Sequence, residues 1–447
     1  MERNIDKSLT FWSKKKRRKP LLLRGPRQTG KTFAVRKLGL SFKYFIEINF
    51  ELEPQFCKLF EKDLVIERLL REIGALRNIK IVPCETLLFF DEIQVCPQAV
   101  LALRYFYETK QELHVIGAGS LLEFELHNLS VPVGRIEFMY VRPFTFIEFL
   151  KAAQRGMLAD EIEHCVSSRI VLNQVLHEDA IAALREYLFV GGMPGVIQAF
   201  LESKSFAAAE NEQRDIVLTY RADFAKYTGR TGIERVENVF TAIPSMVGEK
   251  TVFSRIDPES RAFQIKGAVD LLAMARIINK VNQTSGAGMP LTASVSEKHY
   301  KCIFLDVGLM QRVQNVHFDE WQQSRTLVDH HRGSIAEQFV GQEILHRQGD
   351  HDDPGLFFWH RTTRGSHAEV DYLYESNGSA IPIEVKSGAT GHLRSMHQYF
   401  QAFTSVSGGI KCSLDQMSFT GKILNVPLYA VEYIPIFIDF LKKNESL

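Results

Sequence analysis

Cysteine is scarce in this sequence, and the few cysteines form no recognisable metal or disulfide motif. Six occur in 447 residues, and none belongs to a CxxC pair or lies near a suitably spaced histidine. They are Cys57, Cys84, Cys96, Cys165, Cys302 and Cys412. This spacing excludes a disulfide-stapled scaffold and a zinc-ribbon protein. Scattered thiols are typical of a reducing compartment, so we expect a cytoplasmic protein whose hydrophobic cores are large enough to fold without staples.

Long hydrophobic runs are also missing. No apolar stretch approaches the roughly 20 residues that a membrane-spanning helix requires. The opening sequence MERNIDKSLTFW has no apolar segment after its charged residues, which is unlike a secretory signal. We therefore expect no membrane among the partners of this chain.

A large net charge of either sign is lacking as well. The chain has 54 basic and 53 acidic residues, a formal net charge of +1, which excludes a histone-like polycation. Any nucleic-acid contact must therefore use a local patch. The basic run KKKRRK at residues 14–19 is typical of a solvated lead-in to a strand, and a phosphate-contacting patch is the alternative interpretation. The arginine-rich segment 361–364 is a second basic patch.

What the sequence does contain is an alternation of short apolar runs and helical patterns over residues 20–150. The five predicted strands are Pro20–Arg24, Phe45–Asn49, Leu87–Asp91, Leu113–Gly117 and Ile136–Val141. The segments Lys31–Leu40 and Pro97–Glu108 have helical spacing. This βαβα order predicts an α/β fold with a parallel sheet covered by helices on both faces.

The rest of the chain changes character twice, and a length of 447 residues suits about three domains. Residues 151–330 have mostly helical spacing, as in Ala180–Phe189 and Val236–Met246, and their last part reads as short helices and a hairpin that turns at Gly286–Pro290. Residues 331–447 read as an α/β unit with an Asn377-Gly378 hairpin turn. Its predicted elements are the helices Ser334–His346 and His392–Phe403 and the strands Leu356–His360, Glu369–Tyr374 and Ile381–Lys386. The predicted domains are therefore 1–150, 151–330 and 331–447.

A phosphate-binding loop is predicted between the first strand and the first helix of the sheet. Its eight residues are Gly25, Pro26, Arg27, Gln28, Thr29, Gly30, Lys31 and Thr32, which fit GxxxxGK[ST]. The two glycines let backbone N–H groups curl around phosphate oxygens, and the helix N-terminus adds a partial positive charge. We expect Lys31 to reach the β- and γ-phosphates of ATP and Thr32 to bind Mg²⁺.

Two carboxylates follow the apolar run Leu87–Phe90. Ligands of an open α/β sheet bind at the carboxyl ends of its strands, which is where these carboxylates are expected. We predict that Asp91 holds the Mg²⁺ shell and that Glu92 polarises the attacking water.

Three more polar residues are weaker candidates for the same site. Ser120, after the next predicted strand, is a candidate sensor of the γ-phosphate, and a plain N-cap serine is an equal alternative. Arg135 is a candidate arginine finger and Arg142 a weaker one, although a salt bridge is the default role of any single arginine. A finger that acts in trans would require a homo-oligomer.

These motifs resemble the bacterial and archaeal AAA-type P-loop ATPases that carry a C-terminal domain of unknown function. The resemblance covers nearly the whole chain, and its motifs are GPRQTGKT at 25–32, LLFFDEIQ at 87–94, GSLL at 119–122, GRIEFMYVRPFTFIEFL at 134–150, GGMP at 191–194, YKCIFLDVGL at 300–309, EVD at 369–371 and IEVK at 383–386. It implies an ATPase, and a winged-helix-like middle region whose DNA-contacting element lies within residues 235–310. The sequence departs from the pattern at Ser120, where many AAA proteins have asparagine, and this puts the sensor role of Ser120 in doubt.

The last two motifs also resemble the D…ExK core of PD-(D/E)XK nucleases. Glu384 and Lys386 are two residues apart on a predicted strand and therefore share a face, and Asp371 is expected beside Glu384 on the preceding strand. The two carboxylates would form an oxygen-rich pocket for Mg²⁺ or Mn²⁺, and Lys386 would orient water. Glu337 on the predicted helix is a candidate additional carboxylate, and Gln398 is a weaker candidate.

Two interpretations of these C-terminal carboxylates stay open, because half-buried strands produce the same alternation and nuclease folds also serve as binding modules. The leading hypothesis is a Mg²⁺-dependent AAA-type ATPase whose cycle regulates a winged-helix and nuclease-like half that acts on nucleic acid, DNA rather than RNA. The alternative is a nucleotide-dependent regulatory switch or DNA-binding adaptor with an inactive nuclease-like domain. A third hypothesis is a protein-remodelling ATPase without a nucleic-acid partner.

Overall fold

The computed structural model describes residues 1–120, 122, 134–227, 231–286, 288–323, 331–347, 349–351, 355–361, 368–376, 378–386 and 393–442. Five features predicted from the sequence fall partly outside this part of the chain. Residue 121 of the GSLL motif, residue 287 of the turn Gly286–Pro290 and residue 392 of the last predicted helix are not described. Of the arginine-rich segment only Arg361 is described, and of the Asn377-Gly378 turn only Gly378.

The N-terminal part is built on a five-stranded parallel sheet in the order β2-β3-β4-β1-β5. The strands are β1 Leu21–Arg24, β2 Tyr44–Asn49, β3 Thr86–Asp91, β4 His114–Ala118 and β5 Glu137–Tyr140. All six residues of β3 are buried, as expected for a strand covered on both faces. The five predicted strands and their parallel arrangement are confirmed, with no end shifted by more than one residue.

Helices cover both faces of this sheet because alternate residues of each strand point to opposite sides. The helices are Asn4–Ser13, Lys31–Gly39, Cys57–Lys62, Ile66–Arg77 and Pro97–Thr109. In β1, Leu22 joins the core with Phe90 and Phe106, whereas Leu21 and Leu23 join the opposite core. The short apolar run of the first strand therefore serves two hydrophobic cores at once.

The middle part is helical and ends in an antiparallel hairpin. Its helices are Phe146–Ala152, Gly156–Ser168, Gln174–Val190, Pro194–Ser203, Phe206–Tyr227, Ile233–Ala242, Phe253–Ile256 and Ala262–Met274. The hairpin strands are β6 Ile278–Thr284 and β7 Val295–Phe304, joined by a connection that contains a 3₁₀ turn at Leu291–Ser294. The connection is longer than the turn predicted at Gly286–Pro290.

Among the described helices, no single one is long and apolar enough to cross a bilayer. One pair, Gln174–Val190 with Pro194–Ser203, reaches the required length and hydropathy only when both helices are taken together, and the pair is bent by 120°.

The C-terminal part contains a mixed eight-stranded sheet in the order β12-β13-β11-β10-β9-β8-β6-β7. Its further strands are β8 Leu356–His360, β9 Glu369–Ser376, β10 Ser379–Val385, β11 Gly409–Ser413, β12 Ser418–Thr420 and β13 Ile423–Pro427. Its helices are Val307–Val313, Phe318–Gln323, His331–Arg347, Arg394–Ala402 and Ile434–Lys442. Because β6 pairs in parallel with β8, this sheet takes strands from both sides of residue 330.

One continuous core runs from Phe144 to Leu441 and joins the helical part to this second sheet. The β6–β7 hairpin, which lies within the region expected to resemble a winged helix, is built into the sheet with β7 at its edge. The winged-helix assignment of 235–310 stays a prediction.

Candidate functional site

The phosphate-binding loop follows β1 and has a backbone that only glycine adopts easily at two points. Gly25 has φ 139°, and a Cβ there would lie 2.3 Å from the carbonyl oxygen of Val141. Gly30 has φ 88° and immediately precedes the helix Lys31–Gly39. The loop can therefore curve tightly against the chain that follows β5.

The side chain of Lys31 is buried inside this loop. Its ammonium donates to the carbonyl oxygens of Gly25, at 2.9 Å, and Pro26, at 2.7 Å. An ammonium has three donors, so one N–H remains for a ligand oxygen. Burial lowers the pKa of Lys31 to about 8, although the carboxylates of Glu92 and Asp91 oppose this shift. A phosphate bound here would stabilise the charged form.

The carboxyl end of β3 lies beside the start of the same helix. The hydroxyl of Thr32 donates to Oδ2 of Asp91 at 3.0 Å, and Nδ2 of Asn49 lies 3.3 Å from the same oxygen. Asn49 is directly opposite Asp91 in the β2–β3 register, and sequence reasoning missed it. A hydroxyl and a carboxylate next to a phosphate site fit Mg²⁺, which keeps waters and completes its shell with phosphate oxygens.

Glu92 lies at the same edge of the sheet, with a left-handed backbone at φ 48°. Its Oε2 accepts hydrogen bonds from Gln94, at 2.5 Å, and from the hydroxyl of Ser120, at 3.4 Å. Nε of Arg27 in turn donates to the Ser120 hydroxyl at 3.1 Å. The structure therefore brings together the predicted Glu92, Ser120 and Arg27, and it adds Gln94.

Arg135 is not brought to this site. Arg135 lies before the first residue of β5, whereas the loop follows the last residue of β1. Because β1 and β5 are neighbouring parallel strands, Arg135 and the loop lie at opposite ends of these strands. Nε of Arg135 lies 2.6 Å from Glu108. The arginine-finger role of Arg135 stays a prediction, and from this position it would require a second copy of the chain. Arg142 follows β5 at the loop edge, and its carbonyl oxygen accepts a hydrogen bond from Arg3.

Two distant segments hold the loop from outside. Nη1 of Arg3, a buried side chain, donates to the carbonyl of Thr29 at 2.6 Å. From the helix Phe206–Tyr227, the Tyr220 hydroxyl donates to the carbonyl of Arg27 at 2.8 Å, and Asp223 pairs with the Arg27 guanidinium at 3.0 Å. The residues in these contacts are 26 or more positions apart, so no local sequence signal reveals them.

An apolar recess adjoins the loop on the side of Gly30. Its lining includes Met1, Phe33, Pro194 and Leu201. Phe33 comes directly after Thr32 in the sequence and is 61% exposed. An exposed aromatic ring next to a phosphate site is a surface on which a flat ring can stack.

The predicted C-terminal carboxylates lie together, but a lysine lies among them. Lys301, on β7, is 1% exposed. Its Nζ is 3.0 Å from Oε1 of Glu337, 2.5 Å from Oε1 of Glu369 and 4.0 Å from Oδ1 of Asp371. Sequence reasoning missed Lys301 and Glu369 as members of this group. The one available signal was a charged residue inside the apolar stretch Tyr300–Leu305.

Asp371 lies on β9 and Glu384 on the neighbouring strand β10, and Lys386 directly follows the last residue of β10. Oδ2 of Asp371 accepts a hydrogen bond from the backbone N–H of Val385 at 2.7 Å. Lys386 pairs with Oε1 of Glu384 at 2.8 Å, and Oε2 of Glu384 is buried without a hydrogen-bond partner. Burial, with help from Asp371, raises the pKa of Glu384 to about 7. Gln398 pairs with Arg361 instead, at 3.4 Å.

We call Glu337, Glu369, Asp371 and Glu384 the acidic cluster. The metal that the nuclease resemblance implies does not fit it as arranged, because the ammonium of Lys301 lies where its carboxylates converge. In the part of the chain that the structure describes, no group of three or more His, Cys, Asp or Glu side chains is arranged to hold a metal ion.

Comparison with known proteins assigns three segments. Residues 17–150 match a family described as an AAA domain, and residues 181–320 and 332–430 match two domains of unknown function, DUF8612 and DUF4143. Among solved structures, the chain is similar to the Walker-type ATPase PABY2304 of Pyrococcus abyssi, with 17% identity, a TM-score of 0.44, and coverage of 70% of this chain and 95% of that chain. PCH-2 of C. elegans matches with 15% identity and a TM-score of 0.19, over 36% of this chain and 43% of that chain. No curated protein matches the sequence.

The loop geometry and the match to residues 17–150 agree on the same residues. Residues 17–150 therefore match an AAA domain, and the two matched segments that follow are domains of unknown function.

Proposed function

We propose that this protein is a Mg²⁺-dependent ATPase whose nucleotide cycle acts on a C-terminal half that binds nucleic acid. The observation that carries the ATPase part is the joint placement of Lys31, Thr32 and Asp91. The loop carbonyls accept two hydrogen bonds from the Lys31 ammonium, which leaves one N–H for a ligand. The hydroxyl of Thr32 donates to the carboxylate of Asp91 at the end of β3.

Each side chain then has a defined task. Thr32 and Asp91 would hold Mg²⁺, which supplies positive charge against the β- and γ-phosphates. Lys31 adds its third N–H to a phosphate oxygen. Glu92, fixed by Gln94 and Ser120, orients the water for in-line attack on the γ-phosphate.

ATP hydrolysis by substituted chains tests this assignment. Lys31→Ala is expected to abolish nucleotide binding, whereas Glu92→Gln is expected to bind ATP and turn it over at least about 100-fold more slowly, the usual contribution of a base. Turnover by Lys31→Ala equal to that of the wild type would refute the ATPase.

The apolar recess beside Gly30 is proposed to receive the base of the nucleotide, stacked on Phe33. Phe33→Ala is expected to raise KM for ATP about tenfold, since an aromatic stacking contact contributes about 0.5–1.5 kcal/mol beyond its buried area, and to leave kcat nearly unchanged. Phe263→Ala is the matched control, because Phe263 is 68% exposed and lies outside the recess. An equal effect of both substitutions on KM would contradict the stacking role.

The nuclease hypothesis rests on the resemblance at Asp371, Glu384 and Lys386 alone, because the ammonium of Lys301 opposes a metal ion at these carboxylates. It predicts cleavage of DNA, or of RNA, with Mg²⁺ or Mn²⁺, and loss of that cleavage in Asp371→Ala and Lys386→Ala. Absence of cleavage on every substrate with either metal would leave only a binding module.

A second candidate function is a nucleotide-dependent switch or DNA-binding adaptor whose nuclease-like domain does not cut. The observation that favours it is the buried Lys301 among the carboxylates of the acidic cluster. A mobility-shift assay on DNA and RNA over a range of salt, with and without ATP, separates the candidates. Binding that responds to ATP without cleavage supports the switch, and no shift at all supports a remodelling ATPase that acts on protein.

A further inference from the structure

Lys301 is enclosed on several sides by groups from separate elements. Glu337 comes from the helix His331–Arg347, Glu369 and Asp371 come from β9, and the ring of Phe358 on β8 lies with its centroid 5.1 Å from the ammonium. An aromatic face and carboxylates are both favourable neighbours for a cation. The surroundings of Lys301 are therefore those of a bound cation.

Two of the carboxylates around this ammonium have further neighbours that restrict their movement. Glu337 packs its second oxygen against Gly248, where a Cβ would lie 2.8 Å from that oxygen. Oδ2 of Asp371 accepts a hydrogen bond from the backbone N–H of Val385. A divalent ion would need oxygens at about 2.0–2.6 Å, which is space that the ammonium occupies at 2.5 Å from Glu369 and 3.0 Å from Glu337.

Charge balance leads to the same conclusion. Carboxylates that lie close together and are largely shielded from water are stabilised by nearby cations or by protonation. Lys386 pairs with Glu384, and Lys301 serves Glu337, Glu369 and Asp371. The three carboxylates next to Lys301 raise the pKa of its ammonium above the ordinary lysine value, although burial alone would lower it.

We propose that Lys301 is the resident cation of the acidic cluster, in the place that a divalent metal would take in a nuclease. It also ties the β6–β7 hairpin to β9 and to the helix His331–Arg347. This inference concerns the acidic cluster alone and does not depend on ATP hydrolysis.

Mn²⁺ binding to the full-length chain, measured by electron paramagnetic resonance without nucleotide, tests the proposal. The wild type and Asp371→Asn are expected to bind the same number of Mn²⁺ ions. Lys301→Met, which keeps the length of the side chain but removes its charge, is expected to gain one Mn²⁺ per chain and a higher thermal midpoint when Mn²⁺ replaces EDTA. Adding Asp371→Asn to Lys301→Met should abolish both gains.

Lys298→Met is the matched control, because Lys298 lies on the same strand and is exposed. It should gain no Mn²⁺. A wild-type Mn²⁺ site that disappears in Asp371→Asn would overturn the proposal, as would a Lys301→Met chain that folds and gains no site. If Lys301→Met fails to fold in EDTA and Mn²⁺ alike, the comparison of wild type with Asp371→Asn decides the question.

Discussion

Single residues set the shape of the phosphate-binding loop, and Gly25 is the most constrained of them. Its φ is 139°, and a Cβ at this position would lie 2.3 Å from the Val141 carbonyl oxygen, which leaves no room for a side chain. Backbone, rather than a flexible side chain, blocks the space. A side chain at this position would therefore fit only if the loop moved away from the backbone of Val141.

Gly25→Ala is expected to weaken ATP binding about tenfold or more, because strain of about 1–3 kcal/mol would displace the carbonyls that hold Lys31. Gly156→Ala is the control, since a Cβ at Gly156 meets no atom within 4 Å. Calorimetric titration of ATP measures both. Equal affinities of the two variants would contradict the importance of the tight approach.

His114 is a second residue whose surroundings have a measurable consequence. Its Nε2 lies 2.9 Å from the carbonyl oxygen of Ser13 and so carries the proton of the neutral ring, and its Nδ1 is buried without a partner. The ring packs edge-on against Trp12 and Phe42. Burial lowers the pKa of His114 to about 4, and Arg18 contributes in the same direction.

Because the pKa of His114 is lower in the folded state than its ordinary value, stability is complete above pH 6.5 and decreases as the pH falls toward 4. At pH 5 the free energy of unfolding is lower by about 2 kcal/mol than at neutral pH because of this one group. His114→Gln keeps an N–H donor for Ser13 without titrating, so its thermal midpoint should fall less between pH 7 and pH 5. His164→Gln, at an exposed position, should behave like the wild type. Equal acid sensitivity of both variants would contradict this account.

At the scale of elements, the helix Phe206–Tyr227 connects the middle part to the ATPase domain. Asp223 pairs with Arg27, and Arg27 contacts the Ser120 hydroxyl that bonds Glu92. A movement of this helix would therefore reach Glu92 through the side chains of Arg27 and Ser120.

Asp223→Asn is expected to lower kcat for ATP about fivefold with a smaller change in KM, because Arg27 would no longer be held against Ser120. Lys226→Ala removes the other ion pair of Asp223, at 2.9 Å, without touching the loop, and should leave kcat unchanged. Steady-state kinetics of the two variants provides the check. An equal loss of kcat in both would mean that the effect is not transmitted through Arg27.

At the scale of the whole molecule, the buried carboxylate of Glu148 in the middle part lies near two buried carboxylates of the C-terminal part, Glu343 and Glu432. Glu343 accepts a hydrogen bond from the N–H of Phe146 at 3.2 Å, and its other oxygen is buried without a partner. Glu148 accepts from the N–H of Asn4 at 2.5 Å, and Glu432 lies 3.3 Å from the same residue's side chain. Burial, followed by repulsion from Glu432 and Glu148, raises the pKa of Glu343 well above its ordinary value.

A carboxyl whose pKa is raised on folding stabilises the folded chain at low pH and loses that contribution as the pH rises. Glu343→Gln keeps the acceptor for Phe146 and cannot ionise, so it should raise the thermal midpoint at pH 8 more than at pH 5. Glu259→Gln, at an exposed position, should shift it at neither pH. If Glu343→Gln is no more stable than the wild type at pH 8, then ionisation of Glu343 does not destabilise the folded chain and this account is contradicted.

Several of these features were predictable from local sequence. Gly25, Gly30, Lys31 and Thr32 lie within one segment of eight residues, and the apolar run directly precedes Asp91. The parallel sheet followed in the same way, because buried strands with helical segments between them have a characteristic order. The shared face of Glu384 and Lys386 was also predictable, because strand periodicity alone determines it.

The sequence alone therefore determined the phosphate loop, the parallel N-terminal sheet and the identity of the chemical groups, but not the order of the strands across that sheet. Tertiary structure decided which of those groups meet. It placed Arg135 at the end of β5 that is opposite to the phosphate-binding loop. It also paired β6 with β8, which lie on either side of residue 330 in the sequence, and placed Lys301 among the carboxylates of the acidic cluster. The physical reason is that contacts between distant segments depend on packing and charge compensation, which leave no periodic pattern in the sequence. The sequence does not distinguish a buried lysine from an exposed one, because burial depends on the groups that surround the side chain in the fold.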